Sequence, residues 1–285
     1  MNARNNILKK PIPVVFGLKN HKLNNKEKEF FKKSNPLGFI LFERNCRSKQ
    51  QLKVLVKNLK NLLSHNYPLI MIDQEGGRVA RLKKPNWPTY KSAEFFGLKA
   101  KKDLNLAKKL VYENSKKIGQ DLQQLGINVN CAPVLDIRYN FTHSVIGDRS
   151  FSNDPLIVSS LGKAYCDGLK SKGIIPIIKH MPGHGLSKVD SHKKTPYVLQ
   201  DMNFLDKNDF LPFKKLRNEP FAMISHIVYS RIDSKLACES KIIIKKVIRD
   251  KIRFKGILIS DDINMKAMTG SATNRIKSIF SGGCD

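Results

Sequence analysis

The sequence lacks the features that define several protein classes. None of its 285 residues belong to an uninterrupted apolar run of the roughly 18 residues that a membrane-spanning helix needs. The apolar stretch 12–18 after the basic N-terminus has no small-residue cleavage site, so we expect no signal peptide. The five cysteines are widely spaced and none form Cys-x-x-Cys, which argues against a zinc knuckle or a disulfide framework. Reduced thiols and a cytoplasmic location are therefore expected.

Acidic residues are also scarce: 24 Asp and Glu face 52 Lys and Arg, a formal net charge of +28. Such a charge can indicate a nucleic-acid partner. However, the lysine pairs, such as Lys32-Lys33, Lys83-Lys84 and Lys116-Lys117, are spread along the chain and are not gathered with aromatic residues into one stripe. This pattern favours a compositional bias over the whole surface, which would still attract an anionic substrate. A basic, non-catalytic nucleic-acid-binding protein remains the alternative from a different class.

Short apolar runs alternate with amphipathic ones, and this alternation predicts βαβ units. The runs are nearly continuous in apolar residues, as in a parallel sheet that is buried on both faces. Leucines and valines from Leu52 to Leu63, and apolar residues from Leu104 to Leu125, recur at three- and four-residue spacing and predict helices. The predicted strands are Val14–Leu18, Gly38–Phe42, Leu69–Asp73, Ile127–Ile137, Ile174–His180, Phe221–Ile227 and Gly256–Asp261.

No linker rich in Gly, Pro or Ser divides the sequence, so residues 1–285 are expected to form one domain. The length and the strand–helix alternation fit a (β/α)8 barrel of the TIM type, within the α/β class. Seven strands can be counted, and a last helical pattern over about Ser271 to Ser281 precedes Asp285. We therefore expect a barrel without its eighth strand and final helix.

Polar groups follow five of the predicted strands. Asp73, Asp136, the pair Lys179-His180, His226 and the pair Asp261-Asp262 stand where strands 3 to 7 end. An unpaired charge buried on a strand is costly, and in parallel α/β folds the carboxyl ends of the strands form the floor of the active site. A helix N-cap can explain one such residue, but five strands ending in this way favour a shared polar pocket.

Three motifs carry most of these groups. The first is Lys179-His180-Met181-Pro182-Gly183-His184-Gly185, followed by Asp190-Ser191-His192, within a connection over 181–198 that is long enough to suggest function. The others are Asp73-Gln74-Glu75-Gly76-Gly77-Arg78 with Arg81, and Ser260-Asp261-Asp262. The Gly pair permits a close backbone approach to a ligand, and planar guanidinium groups can grip a carboxylate or sugar hydroxyls. The sequence has no compact pair of metal ligands on one helix, and the nearby cations disfavour a metal, so none is expected.

With these motifs in the same order, the sequence resembles family 3 glycoside hydrolases, specifically bacterial β-N-acetylglucosaminidases of cell-wall recycling. Ala132-Pro133-Val134-Leu135-Asp136 and Ile146-Gly147-Asp148-Arg149-Ser150-Phe151 also match, and the resemblance extends from Gly38 to Asp285. One departure is Met181, which stands where the family has Phe. The resemblance implies a retaining exo-β-N-acetylglucosaminidase on a (β/α)8 barrel, without a cofactor, that removes terminal β-linked N-acetylglucosamine from peptidoglycan-derived muropeptides.

The resemblance also implies roles for individual residues. Asp261 would be the nucleophile that forms a covalent glycosyl-enzyme intermediate, with Asp262 as the weaker candidate. His192, oriented by Asp190, would be the acid/base, in place of the second carboxylate of most glycosidases. The residues that match sugar-binding positions are Asp73, Arg81, Arg149, Lys179 and His180.

An enzymatic alternative with the same site is phosphorolysis, because a histidine acid/base repels phosphate less than a carboxylate does. In either case the expected partner is a carbohydrate of small size, and neither nucleic acid nor membrane is expected to bind. We expect a monomer.

Overall fold

The structure is a computed structural model, and it describes residues 10–190 and 194–285. Its main feature is a parallel sheet whose seven strands lie side by side in chain order. The strands are β1 (Ile12–Gly17), β2 (Pro36–Leu41), β3 (Leu69–Ile72), β4 (Val129–Asn130), β5 (Ile175–Met181), β6 (Phe221–Ile224) and β7 (Ile257–Ser260).

The register of the sheet is set by close backbone packing. Gly38 on β2 lies opposite Leu69 on β3, and a Cβ atom at position 38 would come within 2.1 Å of the Leu69 carbonyl oxygen. β7 pairs with β6 from Ile257 to Ser260 without a bulge. β1 and β7 are the edges of the sheet among the described residues. All seven strands point the same way, which confirms the predicted α/β class and brings their carboxyl ends together.

Helices connect the strands, and most begin at a residue whose side chain caps them. Asn24, Ser48, Ser92, Asp103, Asp154 and Ser271 each accept a hydrogen bond from an amide in the first turn, as expected for N-caps. No helix of the described part is both long and apolar enough to cross a membrane. The helices are α1 (Asn25–Ser34), α2 (Lys49–Leu62), α3 (Ala93–Ala100), α4 (Leu104–Gln124), α5 (Pro155–Lys170), α6 (Met202–Lys207), α7 (Phe210–Lys215), a π-type helix (Ile243–Lys251) and α8 (Ala272–Gly282).

The apolar core has two parts, on opposite faces of the sheet. The larger part packs the helices against the sheet and includes Leu52, Leu55, Val56 and Leu59 of α2, as their spacing predicted. The smaller part lies on the other face and contains Leu69, Met71, Val129, Cys131, Ile177, Phe221 and Met223. The central strands of the sheet are therefore buried on both faces, in agreement with their nearly continuous apolar residues, whereas the edge strands β1 and β7 are partly exposed.

Two strands are shorter than predicted by three residues or more. The apolar run over 127–137 forms a strand only at Val129–Asn130, because the chain turns at Ala132, and Pro133 has no amide hydrogen for the ladder. Pairing with β5 resumes at the bridge between Val134 and Lys179. The run over 221–227 ends as part of the sheet at Ile224, and Val228–Tyr229 instead pairs with Tyr197–Val198. At these interruptions the backbone around Asp136 and His226 leaves the regular hydrogen-bond ladder of the sheet.

Candidate active site

The structure brings the polar residues that follow the strands together at the carboxyl end of the sheet. Asp73 follows β3, Lys179 and His180 lie at the end of β5, His226 follows β6, and Asp261 follows β7. The charges of His180 and Lys179 act on Asp261, and those of Asp73 and Asp261 act on the Cys131 thiol between them. These electrostatic contacts favour one shared polar site over independent helix caps.

At the centre of the pocket is the ammonium group of Lys179, whose side chain is only 2% exposed. It lies 2.9 Å from Asp73 Oδ1 and 2.7 Å from Glu75 Oε1. Burial disfavours the charged form of a lysine, but the two carboxylates overcome this effect and raise its pKa above the ordinary value. Lys179 therefore remains a cation, and it joins β5 to the segment after β3.

Glu75 was not among the predicted site residues, although it lies inside the Asp73–Arg78 motif. Its Oε2 accepts a hydrogen bond from Arg149 Nε at 2.9 Å, and its Oε1 accepts one from Arg149 Nη2 at 2.8 Å. Burial opposes ionisation of Glu75, but Arg149 and Lys179 hold its pKa well below the usual range. The carboxylate thus fixes the guanidinium plane of Arg149. The sequence spacing alone could not show that Glu75 has a role different from that of Asp73.

Asp73 connects Arg81, from the same segment, to this network. Its Oδ2 lies 3.1 Å from Arg81 Nη2. Burial raises the pKa of Asp73, but Lys179 and Arg81 lower it by more, so the group is a carboxylate. The backbone around Arg81 is held by Gln74, whose side-chain oxygen accepts hydrogen bonds from the amides of Arg81 and Leu82. Asp73, Arg81 and Lys179 thus form one ion-paired cluster.

Asp136 is fully buried and organises the histidines of the loop after β5. One of its oxygens accepts hydrogen bonds from the amides of His180 at 3.1 Å and His184 at 2.7 Å, and the other lies 2.6 Å from His180 Nδ1. Burial opposes its ionisation, but these contacts lower its pKa. Since the carboxylate needs a donor, His180 carries a proton on Nδ1, and its Nε2 is left for another partner. Burial and the charge of His180 lower the pKa of His184 to about 4.

The loop after β5 is packed against the loop after β4. A Cβ atom at Gly185 would lie 1.9 Å from the Ile137 carbonyl oxygen, so only glycine fits. The Gly185 carbonyl accepts a hydrogen bond from Thr142 Oγ1 at 2.6 Å, and the Ser187 carbonyl accepts one from the His143 amide. Residues 182–187 are buried. This loop segment is part of the protein interior, which excludes a solvated surface loop.

The predicted acid/base pair lies further along the same loop. Asp190 is partly buried, and its carbonyl oxygen accepts a hydrogen bond from the Lys194 amide. His192 lies outside the described residues, so its role stays a prediction.

Asp261 is partly exposed at the end of β7. Its amide donates to the Ile224 carbonyl of β6, and its Oδ1 accepts the Asp262 amide at 2.8 Å. Burial raises the pKa of Asp261, but His180, the Asp262 amide and Lys179 lower it by more. The side chain of Asp262 is more exposed, and its Oδ1 instead accepts the amide of Asn264. The surroundings of Asp261 therefore keep its carboxylate ionised.

A further acidic residue that sequence reasoning missed is Asp209, at the start of α7. It is 2% exposed and its Oδ2 accepts a hydrogen bond from the Tyr139 hydroxyl at 2.7 Å. Its Oδ1 is buried and has no hydrogen-bond partner among the described residues. Burial raises the pKa of Asp209 to about 7. Asp209 packs against Gly183 and thus lies beneath the loop after β5.

Most acidic groups of the pocket are engaged in contacts with cations or amides. Within residues 10–190 and 194–285, no three or more His, Cys, Asp or Glu side chains are grouped so that they could hold a metal ion. The carboxylates of Asp73, Glu75 and Asp136 are each already paired with cations or amides.

Replacing Glu75 with Gln should destabilise the protein strongly. The change leaves Arg149 and Lys179 buried with one carboxylate fewer, and breaking a buried ion pair costs about 3–5 kcal/mol of unfolding free energy. The matched control is Glu43→Gln, in the exposed pair with Lys83, which should cost less than about 1 kcal/mol. Urea denaturation measures both, and equal losses would contradict the proposed burial of charge.

Replacing Asp209 with Asn should raise the free energy of unfolding above that of the wild type by more at pH 8 than at pH 5. A carboxyl group whose native pKa is about 7, above its ordinary 3.8, costs stability as the pH rises between these values. The slope is about 1.4 kcal/mol per pH unit, so the variant should gain about 2–3 kcal/mol on the wild type between pH 5 and pH 8. Denaturation curves at both pH values test this, with exposed Asp250→Asn as the control. A difference that does not change with pH would contradict it.

Comparison with known proteins gives consistent results. The family profile described as "Glycosyl hydrolase family 3 N terminal domain" matches residues 9–285. The β-hexosaminidase of Haemophilus influenzae is 33% identical, and the alignment covers 95% of this chain and 77% of that protein. The β-hexosaminidase of Psychromonas ingrahamii is 34% identical, with 96% of this chain and 81% of that protein covered.

Solved structures of the same kind superpose on the chain. NagZ from Neisseria gonorrhoeae, in complex with N-trifluoroacetyl-D-glucosamine, aligns with a TM-score of 0.90 and 32% identity over 96% of this chain and 80% of that chain. A family 3 β-N-acetylglucosaminidase from Paenibacillus sp. aligns with a TM-score of 0.87 and 28% identity, over 95% of this chain and 52% of that chain. The agreement confirms the barrel-type fold. The chain belongs to glycosyl hydrolase family 3 and is a glycoside hydrolase.

Proposed function

We propose that this protein is a retaining exo-β-N-acetylglucosaminidase that releases terminal β-linked N-acetylglucosamine from peptidoglycan-derived muropeptides. The observation that carries the proposal is the position of Asp261, an ionised carboxylate at the end of β7 beside the cluster of Lys179 and His180. The relatives named β-hexosaminidases, and the complex of a solved relative with a glucosamine derivative, support the sugar class.

The hydrogen-bonding groups of the cluster fit a pyranose ring. Lys179 carries three ammonium hydrogens, of which Asp73 and Glu75 occupy two, so one is left for a hydroxyl. Asp73 retains acceptor capacity on both oxygens, and His180 retains Nε2. Arg81 and Arg149 supply further donors at the edge of the cluster. Rigid donors and acceptors of this kind hold the ring in one orientation, and orientation lowers the barrier of the bond-breaking step.

Asp261 acts as the nucleophile in this proposal. Its carboxylate attacks the anomeric carbon and forms a glycosyl-enzyme ester, while the bond from that carbon to the leaving oxygen breaks. The low pKa of Asp261 keeps it ionised for this step. A water molecule then attacks the same carbon, and the ester bond breaks to restore the carboxylate.

His192 acts as the acid/base, and Asp190 orients it. In the first step the protonated imidazole gives its proton to the leaving oxygen, and in the second it takes one from the attacking water. A carboxylate beside an imidazole favours the protonated ring and fixes its orientation. The partly buried Asp190, two residues before His192 on the same loop, is suited to that role.

The proposal also names muropeptides as the substrate and the cytoplasm as the location of the protein. Muropeptides carry anionic groups, which a protein of net charge +28 attracts. The five cysteines, all present as free thiols, fit a reducing compartment. Turnover with and without inorganic phosphate distinguishes hydrolysis from phosphorolysis, since only the latter produces a sugar 1-phosphate.

Replacing Asp261 with Asn should reduce release of 4-nitrophenol from its N-acetyl-β-glucosaminide by more than about 1,000-fold, because a neutral amide is a poor nucleophile. The adjacent Asp262→Asn removes the same charge one residue away, and we expect it to cost less than about 10-fold, because that side chain bonds to the backbone of Asn264. Retention of more than a few per cent of activity by the Asp261 variant would exclude it as the nucleophile.

Replacing His192 with Ala should discriminate between leaving groups. A poor leaving group such as a sugar alkoxide needs the proton that an acid supplies, whereas an activated nitrophenolate does not, so the loss should be about 100-fold greater on the disaccharide. His143→Ala, on the neighbouring loop, is the matched control and should affect both substrates alike. Equal losses for the His192 variant on both substrates would make its role structural.

A further inference from the structure

His226, directly after β6, is one of the polar strand ends, but it has no role in the proposed reaction. It is 1% exposed, and its ring lies between two other segments of the chain. Its Nε2 is 3.1 Å from the carbonyl oxygen of Asp262, and its Nδ1 is 3.1 Å from Cys238 Sγ. The imidazole therefore connects the segment around Cys238 with the residue that follows the proposed nucleophile.

The two contacts define the protonation of the ring. A carbonyl oxygen can only accept, so Nε2 must carry the hydrogen. In a neutral imidazole Nδ1 is then an acceptor, and the Cys238 thiol is the matching donor. Burial raises the pKa of this thiol well above its ordinary value, which keeps its proton in place. Cys238 thereby selects the tautomer that can hold Asp262.

Both sides of the Asp262 backbone are fixed. Its carbonyl oxygen accepts the His226 ring and also the Met265 amide at 3.0 Å. Its amide donates to Oδ1 of Asp261 at 2.8 Å. The Asp261 amide in turn donates to Ile224, two residues before His226 on the same segment. The Asp262 amide thus sets the orientation of the Asp261 carboxylate, and His226 in turn holds the backbone of Asp262.

We infer that His226 is a positioning residue for the glycosidic reaction: through the Asp262 backbone it orients the Asp261 carboxylate, and the Cys238 thiol fixes its tautomer. The inference rests on the proposed function of Asp261. His226 does not touch the sugar in this scheme, so its loss affects formation of the covalent bond and leaves the affinity for the sugar in place.

The test measures the rate of covalent labelling by a fluorinated N-acetylglucosaminyl fluoride, followed by mass spectrometry of the intact protein and its peptides. The wild type should be labelled on Asp261. His226→Leu should be labelled about 10- to 100-fold more slowly, since a small misplacement of a reacting group has an effect of this size. The inhibition constant of free N-acetylglucosamine should change by less than about threefold.

Conservative variants separate positioning from folding. His226→Gln retains an N–H donor near the position of Nε2 and should recover most of the labelling rate that the Leu variant loses. Cys238→Ser retains a hydroxyl donor and should be faster than Cys238→Ala. His65→Leu is the matched control, because His65 also contacts a backbone carbonyl, that of Pro36, but at the amino end of β2. It should be labelled at the wild-type rate.

The outcomes distinguish the inference from the function on which it rests. A wild-type label on a residue other than Asp261 overturns the proposed nucleophile and the inference with it. Labelling of Asp261 in the wild type, with an unchanged rate in folded His226→Leu, overturns the inference alone. Equal rates for the Gln and Leu variants also overturn it, because a role in packing alone would not depend on an N–H donor.

Discussion

The buried contact of the Lys179 ammonium with the carboxylates of Asp73 and Glu75 is the constraint on which the pocket depends. A cation and two anions removed from water are costly unless each finds a partner, and here the partners come from β5 and from the segment after β3. Arg149 is a second cation in contact with the Glu75 carboxylate. Four charged groups from three separate segments must therefore assemble together, and their geometry is rigid before any sugar arrives.

The sequence allowed much of this arrangement to be predicted, for a physical reason. A charged residue at the end of a buried apolar strand is a local signal, and Asp73, Lys179 and Asp261 all carry it. The parallel direction of the strands then places such residues at one edge of the sheet. Glu75 has no equivalent signal, because its position two residues beyond Asp73 does not reveal that it turns towards Arg149, 74 residues away in the chain.

Other features depend on contacts that no local pattern contains. The apolar run over 127–137 looks like one strand, but Pro133 divides it, and the second half of the run carries Asp136 beneath the loop after β5. The pairing of Tyr139 with Asp209, and of His226 with Asp262, joins residues that only the folded chain brings together. Sequence reasoning thus identifies residues that bear chemistry more readily than those that orient them.

The contact of Gly185 with Ile137 has a consequence for how such a site can diversify. Because the two backbones touch without an intervening side chain, an insertion in either loop near this point displaces the other. Natural variation near this point is therefore expected to arise by exchange of side chains on the outer parts of the two loops, such as Phe141 and Lys188. The Lys188 ammonium lies 5.2 Å from the centroid of the Phe141 ring. Changes in loop length would have to occur in both loops together, so the two segments should evolve as one unit.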